Sequence, residues 1–242
     1  TRGSWGTSTV TRQDVGSLVG ARIVRTLIIG LVAMLLAVPL AFVIGVYTGQ
    51  RSGKVDDVGA STLILLLNSL PEFVIGILLL VVFGVVLKVL PIESSAAAYG
   101  TGFDRAKAYV LPILTLVLLL TPYLARMVRV NTRDVLGQPY VRSAVLRGVS
   151  PSRLSWRHIA PNASLPVISV IALTLAELVG GVVVVEVVFG FPGIGKLLVD
   201  SVLSKDIPTV QAVTLAMGLG FVVLGLAADL VLLGLNPRLR SR

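Results

Sequence analysis

Apolar residues in this chain neither alternate with the period of a strand nor mark a single helical stripe. They come in long runs separated by short polar intervals. A helix that crosses a bilayer needs about 20 mostly apolar residues, because backbone N–H and C=O groups cannot be left unpaired in hydrocarbon. Five segments meet that requirement. They are about 24–48, without a charge between Arg25 and Arg51; 58–87, interrupted only by Glu72; 108–130, uncharged from Ala108 to Ala125; 165–189, carrying Glu177 and Glu186; and 209–235, with Asp229 near its end. The pattern predicts an all-α membrane protein, a polytopic helical bundle. Prolines and glycines punctuate the runs at Pro39, Gly45, Pro71, Gly76, Pro112, Pro122, Gly180 and Gly181, which suits helices that bend and approach one another closely.

Composition strengthens this picture. A hydrophobic share of 55%, a charged share of 14% and a mean hydropathy of +0.94 do not fit a soluble domain. The net charge of +9 comes with only 6% aromatic residues, too few stacking rings for a nucleic-acid surface. With no cysteine and a single histidine, His158, the chain has no disulfide framework, thiolate nucleophile or usual zinc set, and His158 reads as a hydrogen-bonding loop residue. No catalytic constellation and no signal peptide are visible.

The placement of the charges gives an orientation. Between the third and fourth runs lie Arg126, Arg129, Arg133, Arg142, Arg147, Arg153 and Arg157 against Asp134, and the chain closes on Arg238, Arg240 and Arg242. Such an excess belongs on the cytoplasmic side, whereas the intervals 88–107 and 190–206 are nearly balanced and suit the outside. This predicts an extracytoplasmic segment 1–22, a transmembrane domain 23–236 with a cytoplasmic loop 131–164, and a cytoplasmic tail 237–242. Five spans beginning outside, without a signal, lead to the expectation of a preceding first span that this chain lacks.

The cytoplasmic loop is the most informative stretch. Tyr140, Val141, Ala144 and Val145 fall at helical spacing opposite Arg142 and Arg147, and Gly148 follows where a left-handed C-cap is expected. Ser150 and Pro151 then open a second short helix through Arg153, Leu154 and Arg157, expected to stop before Pro161. A helix, a glycine turn and a helix with a basic rim fit docking into a groove of another protein; the same arginines would also suit anionic lipid headgroups.

Two further features have competing readings. Gly190, Gly195 and Lys196 reproduce the spacing of a phosphate-binding loop, but Leu197 stands where magnesium needs a hydroxyl, and the segment leaves a span on the outer side. The glycines are better read as a tight external turn ahead of a short helix from Lys196 to Leu203. Carboxylates inside spans are costly and invite a functional reading. Glu72 and Glu177 are the candidates for a translocation path, with hydrogen bonding inside the bundle as the alternative, favoured for Glu186 and Asp229. Glu177 and Glu186 are nine residues apart, about 2.5 turns, and so lie on opposite helix faces.

Several motifs carry a family resemblance. YVRSAVLRGVSPSRLSWRHIAPNASLPV resembles the EAA loop of ATP-binding-cassette importer permeases. VVVVEVVFGFPGIGKLLVDSVLSKDIPTVQ and ADLVLLGLNPRLR are similar to the rest of the first permease subunit of the dipeptide, oligopeptide and nickel group, the DppB/OppB type. The resemblance covers nearly the whole chain, while the triplet itself reads Arg142, Ser143 and Ala144 and lacks the acidic first residue. It implies the MetI-like fold of type I importers and no ATPase activity in this chain. It also implies a coupling surface for a cytosolic ATPase at Tyr140, Val141, Arg142, Ser143, Ala144, Arg147, Gly148, Val149, Ser150 and Arg153. Pro192, Gly193, Gly195 and Lys196 would lie near the docking surface of an extracytoplasmic solute-binding protein. The implied partners are a second homologous permease, two ATP-binding subunits carrying ATP and Mg2+, the binding protein and the lipids of a bacterial inner membrane, with no nucleic acid and no cofactor in this chain. The cargo ranges over dipeptides, longer peptides, nickel chelates and haem-like molecules. Rival readings are an ion-coupled secondary transporter using Glu72 and Glu177, and a membrane scaffold whose basic loop binds lipid.

Overall fold

The computed structural model describes residues 5–235; the side chains of Pro151, Leu165, Ala172, residues 176–179, Asp229 and residues 231–235 fall outside the described set. The predicted tail 237–242 lies outside the described residues, as do the side chains of Glu177 and Asp229. Among the described residues the regular elements are helices, beside one isolated bridge between Thr7 and Asp14.

Helix α1 runs Val15–Gln50, starting well before the first apolar run. Asp14 explains the start: its Oδ2 accepts from Ser17 N at 2.8 Å and its carbonyl from Ser17 Oγ at 2.8 Å, so one of the first free N–H groups is capped. Helix α2 spans Val55–Ser69 and α3 Glu72–Leu79, the latter widening into a π turn at Leu80–Val86. The run 58–87 is therefore two helices and not one. Pro71 lacks an N–H and pushes Leu70 into an extended conformation (φ −86°, ψ 131°), which ends α2. Short α4 (Ala96–Tyr99) precedes α5 (Gly102–Leu136), which passes uninterrupted through Pro112 and Pro122.

Helices α6 (Pro139–Leu146) and α7 (Pro151–Leu154) follow, then a π turn at Ser155–Ile159 that flows directly into α8 (Ala160–Val188). This corrects the expected stop before Pro161. The wide turn carries the Ala160 N–H to the Ser155 carbonyl, giving the pyrrolidine ring room where an α-turn would clash. Helices α9 (Ile194–Leu203) and α10 (Ile207–Leu235) complete the described chain.

Among the described residues three uninterrupted helical stretches are long and apolar enough to cross a membrane: α1, α5 and 207–228 of α10. Two broken pairs bring the total to as many as 5, one of them being α2 with α3. Leucines 27, 31, 35, 36 and 40 of α1 and Leu215, Leu219, Phe221, Val222 and Val223 of α10 are exposed, an apolar surface suited to lipid.

The chain divides into two compact units. The first comprises Thr1–Ala33, Pro71–Leu116 and Ala176–Gly225. Its core joins Val15 and Val19 of α1 to Ile194 and Leu197 of α9 and Ala212, Val213 and Ala216 of α10. Phe189 and Phe191 are fully buried, and Phe191 meets Tyr109 edge-on with centroids 5.2 Å apart. The second comprises Met34–Leu70, Val117–Leu175 and Leu226–Arg242. Here a Cβ on Gly45 would lie 2.7 Å from the Ala125 carbonyl oxygen, and one on Gly49 2.7 Å from Thr132 Cβ. Two glycines four apart let α1 and α5 meet backbone to backbone, which packs them without a hydrophobic force between helices. Asp57 and Arg129 lock α2 to α5 in a bidentate pair, Nε to Oδ1 at 2.6 Å and Nη2 to Oδ2 at 2.7 Å. Gly53 N adds a bond to the same carboxylate at 2.9 Å, so the buried charge is satisfied.

Candidate functional site

The turn between α6 and α7 belongs to the second unit. Gly148 has φ +76°, its N–H donates to the Val145 carbonyl at 2.9 Å, and Val149 N donates to the Ala144 carbonyl at 3.2 Å. These two bonds form a Schellman cap: the glycine takes the left-handed residue and the last carbonyls of α6 are satisfied without outside help. Leu154 N donates to the Ser150 carbonyl at 2.9 Å, starting α7. The apolar stripe expected over Tyr140, Val141, Ala144 and Val145 is split by the fold. Val141 and Ala144 are buried, whereas Tyr140 and Val145 face outward with Arg142, Ser143 and Arg147. Leu146 is 88% exposed, and Gly148, Ser150, Arg153, Trp156 and Arg157 are exposed too, with Val149 half-buried. A self-capped element thus presents Tyr140, Val145, Leu146 and Trp156 within a basic rim, while Val141 and Ala144 hold it to the bundle.

The glycine-rich segment after α8 belongs to the first unit and closes on a carboxyl group of its own chain. Glu186, fully buried, accepts at Oε2 from Gly195 N at 2.7 Å and Lys196 N at 3.0 Å, and at Oε1 from the Thr26 hydroxyl. Thr26 Oγ1 in turn accepts from Ile194 N at 2.9 Å, and Arg25 Nε donates to the Pro192 carbonyl at 2.9 Å. The free N–H groups at the start of α9 therefore close on an internal carboxylate, where a phosphate-binding loop would hold a phosphate. Gly193 is buried and a Cβ there would overlap the Glu186 carboxyl; a Cβ on Gly195 would sit 2.7 Å from Val183 Cα. Gly193 and Gly195 are thus packed inside this chain, and of the four residues only Pro192 and Lys196 are partly exposed. Lys196 Nζ pairs with Asp200 at 2.8 Å.

Asp206, between α9 and α10, accepts from Ser8 Oγ at 2.5 Å, Thr9 N at 3.0 Å, Thr9 Oγ1 at 2.9 Å and Thr209 Oγ1 at 2.7 Å. Burial alone would raise its pKa, but these bonds outweigh it and hold the carboxyl below the usual range. Glu72 stands half-buried in the first turn of α3, straight after the break, where the helix N-terminus favours a carboxylate. The side chain of Glu177, the other candidate for the translocation path, lies outside the described set.

Residues 37–241 match the family described as binding-protein-dependent transport system inner membrane components. The chain belongs to that family. Over 241 residues, all of this chain and 76% of the relative, it is 35% identical to the glutathione transport system permease protein GsiC of Salmonella typhimurium, and 34% identical to its Escherichia coli K12 counterpart. It is 32% identical over 239 residues, 99% of this chain and 76% of the relative, to the "Probable peptide ABC transporter permease protein y4tP" of Sinorhizobium fredii. Among solved structures, an amino acid ABC transporter crystallised with histidines aligns with a TM-score of 0.66 at 16% identity, covering 91% of this chain and 95% of that one. An inward-facing MetNI methionine ABC transporter aligns with a TM-score of 0.66 at 16% identity, covering 88% and 95%. The fold is that of type I importer permeases, and the chain is an inner-membrane permease subunit of an ATP-binding-cassette importer, a non-catalytic component that works with ATPase and binding-protein partners.

Three features of this permease escaped the sequence reading. Leu146 was not singled out, because period alone does not say which side of a short helix meets the bundle. Glu186 looked like one carboxylate among several; the signal lay in its distance of nine and ten residues from Gly195 and Lys196, which are its donors. Asp206 was counted only as loop charge, although Asp-Ile-Pro-Thr is the sequence of an N-cap with a first-turn proline.

Proposed function

We propose that this permease forms half of the translocation pathway of an ATP-driven importer for small peptides, with glutathione-like tripeptides inside its range. The whole-chain similarity to permeases named for glutathione and peptide transport carries this reading. A second homologous permease completes the pathway, and each of two cytosolic ATP-binding subunits, which hold ATP and Mg2+, seats one coupling turn. In this chain the turn is Tyr140–Arg153, with Leu146, Val145 and Tyr140 as the apolar plug and Arg142, Arg147 and Arg153 as the rim; the arginine excess supports a cytoplasmic turn and C-terminus. Closure of the ATP-binding subunits draws the paired turns together, and rigid α6, capped at Gly148, passes the movement into the helices that Val141 and Ala144 touch. In the first unit the binding protein meets the exposed end of α9 and start of α10, Val202, Leu203 and Ile207, in place of the buried glycines 193 and 195. Glu72 lines the path and attracts the amino terminus of the cargo.

The test is uptake by the four-subunit importer reconstituted with its binding protein. Peptide-loaded or glutathione-loaded binding protein is expected to stimulate ATP hydrolysis and solute entry together. Uptake driven by a proton gradient without ATP would overturn the proposal in favour of an ion-coupled carrier.

A further inference from the structure

The second unit holds a cavity of about 180 Å3 that none of the roles above uses. Ser61, Ile64 and Leu65 of α2 form one wall, and Arg126 and Arg129 of α5 the other. The two arginines differ in state. Arg129 is neutralised by Asp57, the carboxylate at this site, which is itself taken up by Arg129, Gly53 N and Ser61 Oγ. Arg126, one turn earlier on α5 and exposed, has no hydrogen bond or ion pair among the described residues. A net positive charge therefore stands at the mouth of a mostly apolar hollow. Ser61 and Leu65 lie about 9 and 15 Å along α2 from its first residue at 1.5 Å per residue, the depth at which headgroups give way to acyl chains if that end of α2 faces the cytoplasm.

We propose that this cavity is a binding site for one anionic phospholipid of the inner leaflet, its phosphodiester on the Arg126 guanidinium and its acyl chain along Ile64 and Leu65. The chemistry favours a lipid over a soluble anion, since the walls offer a hydrocarbon chain more contact than they offer a phosphate, and only one cation is unpaired. The site rests on the orientation proposed above but not on the identity of the cargo, so lipid retention and transport can fail separately.

The experiment uses the assembled importer, purified and stripped of lipid, then titrated with phosphatidylglycerol or phosphatidylcholine while bound lipid is counted by native mass spectrometry. The intact complex is expected to retain one phosphatidylglycerol per copy of this chain in preference to phosphatidylcholine. Arg126→Gln is expected to weaken phosphatidylglycerol retention about fivefold and leave phosphatidylcholine unchanged. Leu65→Trp, which fills the hollow, is expected to weaken both lipids, and Arg105→Gln, on the part of α5 in the first unit, neither. Millimolar inorganic phosphate should leave the lipid in place. Undiminished phosphatidylglycerol retention in Arg126→Gln, an equal loss in Arg105→Gln, displacement by phosphate alone, or a segment of another subunit filling the cavity would each overturn the proposal.

Discussion

Two glycine-shaped turns join helices in this permease, and they handle their polar groups in opposite ways. The turn after α8 folds inward: Gly195 N, Lys196 N and the Thr26 hydroxyl all close on the buried carboxylate of Glu186, and Gly193 makes room for it. The turn after α6 closes only its own backbone, through Gly148 and Val149, and leaves Tyr140, Val145 and Leu146 to solvent. A turn whose donors and acceptors are spent internally is a structural joint. One that caps itself and still exposes an apolar plug is, under the proposed function, the surface that docks on a partner. The comparison separates residues whose loss unfolds the permease from residues whose loss disconnects it.

The largest effect should come from breaking the inward turn. Glu186→Ala leaves the buried Gly195 N–H and the part-buried Lys196 N–H and Thr26 hydroxyl without their acceptor, each worth about 1–3 kcal/mol where water cannot reach, so a loss of about 2–3 kcal/mol is expected. Thermal unfolding of the purified complex would show it as a large fall in Tm, with little assembled protein recovered. A Tm within a degree or two of the parent would mean that the carboxylate is not the keystone of this turn.

Next in size is Gly148→Val. A β-branched residue forced to φ +76° costs about 1–2 kcal/mol of local strain, too little to unfold the chain but enough to misplace the plug. Solute-stimulated ATP hydrolysis should fall at least tenfold, by analogy with the loss of an interface hot spot, while the importer still assembles. Full stimulation in that variant would break the comparison.

Leu146→Ser sharpens it. Since Leu146 is 88% exposed in the isolated chain, Tm should change by no more than about 0.5 kcal/mol in equivalent stability. Coupled ATP hydrolysis should nevertheless fall about fivefold, the price of one apolar side chain at an interface.

The smallest effect concerns acid. Asp206 is held below the usual carboxylate range by Ser8, Thr9 and Thr209, so its contribution is complete above that range and lost as pH falls through its lowered pKa. Hydrogen exchange at residues 8–11 should stay slow at pH 4 and quicken only in stronger acid. Quickening near pH 5 would contradict the bonding described.

How much of this was legible beforehand differs between backbone and side chains. Long uncharged runs gave the membrane helices, because hydrocarbon leaves the backbone few choices. Gly148 could be read as a left-handed cap from a glycine following a helical stripe. Pro71 marked a bend, but the full break into two helices was missed because hydropathy does not register a missing N–H, and the passage through Pro161 because a π turn has no signature in composition. Glu186 was hardest of all: a carboxylate in an apolar run announces itself, but its partners arrive from Thr26, about 160 residues away, and from a loop that mimics a nucleotide site.

The central claim is that the Gly148 turn seats on an ATP-binding subunit. These 242 residues hold no cysteine, so Leu146→Cys places one thiol at a known position among them. Treated with a short thiol-to-amine crosslinker in the assembled importer, Cys at 146 should join this permease to an ATP-binding subunit, and Cys at Leu203, also well exposed, should not. A crosslink to that subunit from 203 and none from 146 would contradict the account.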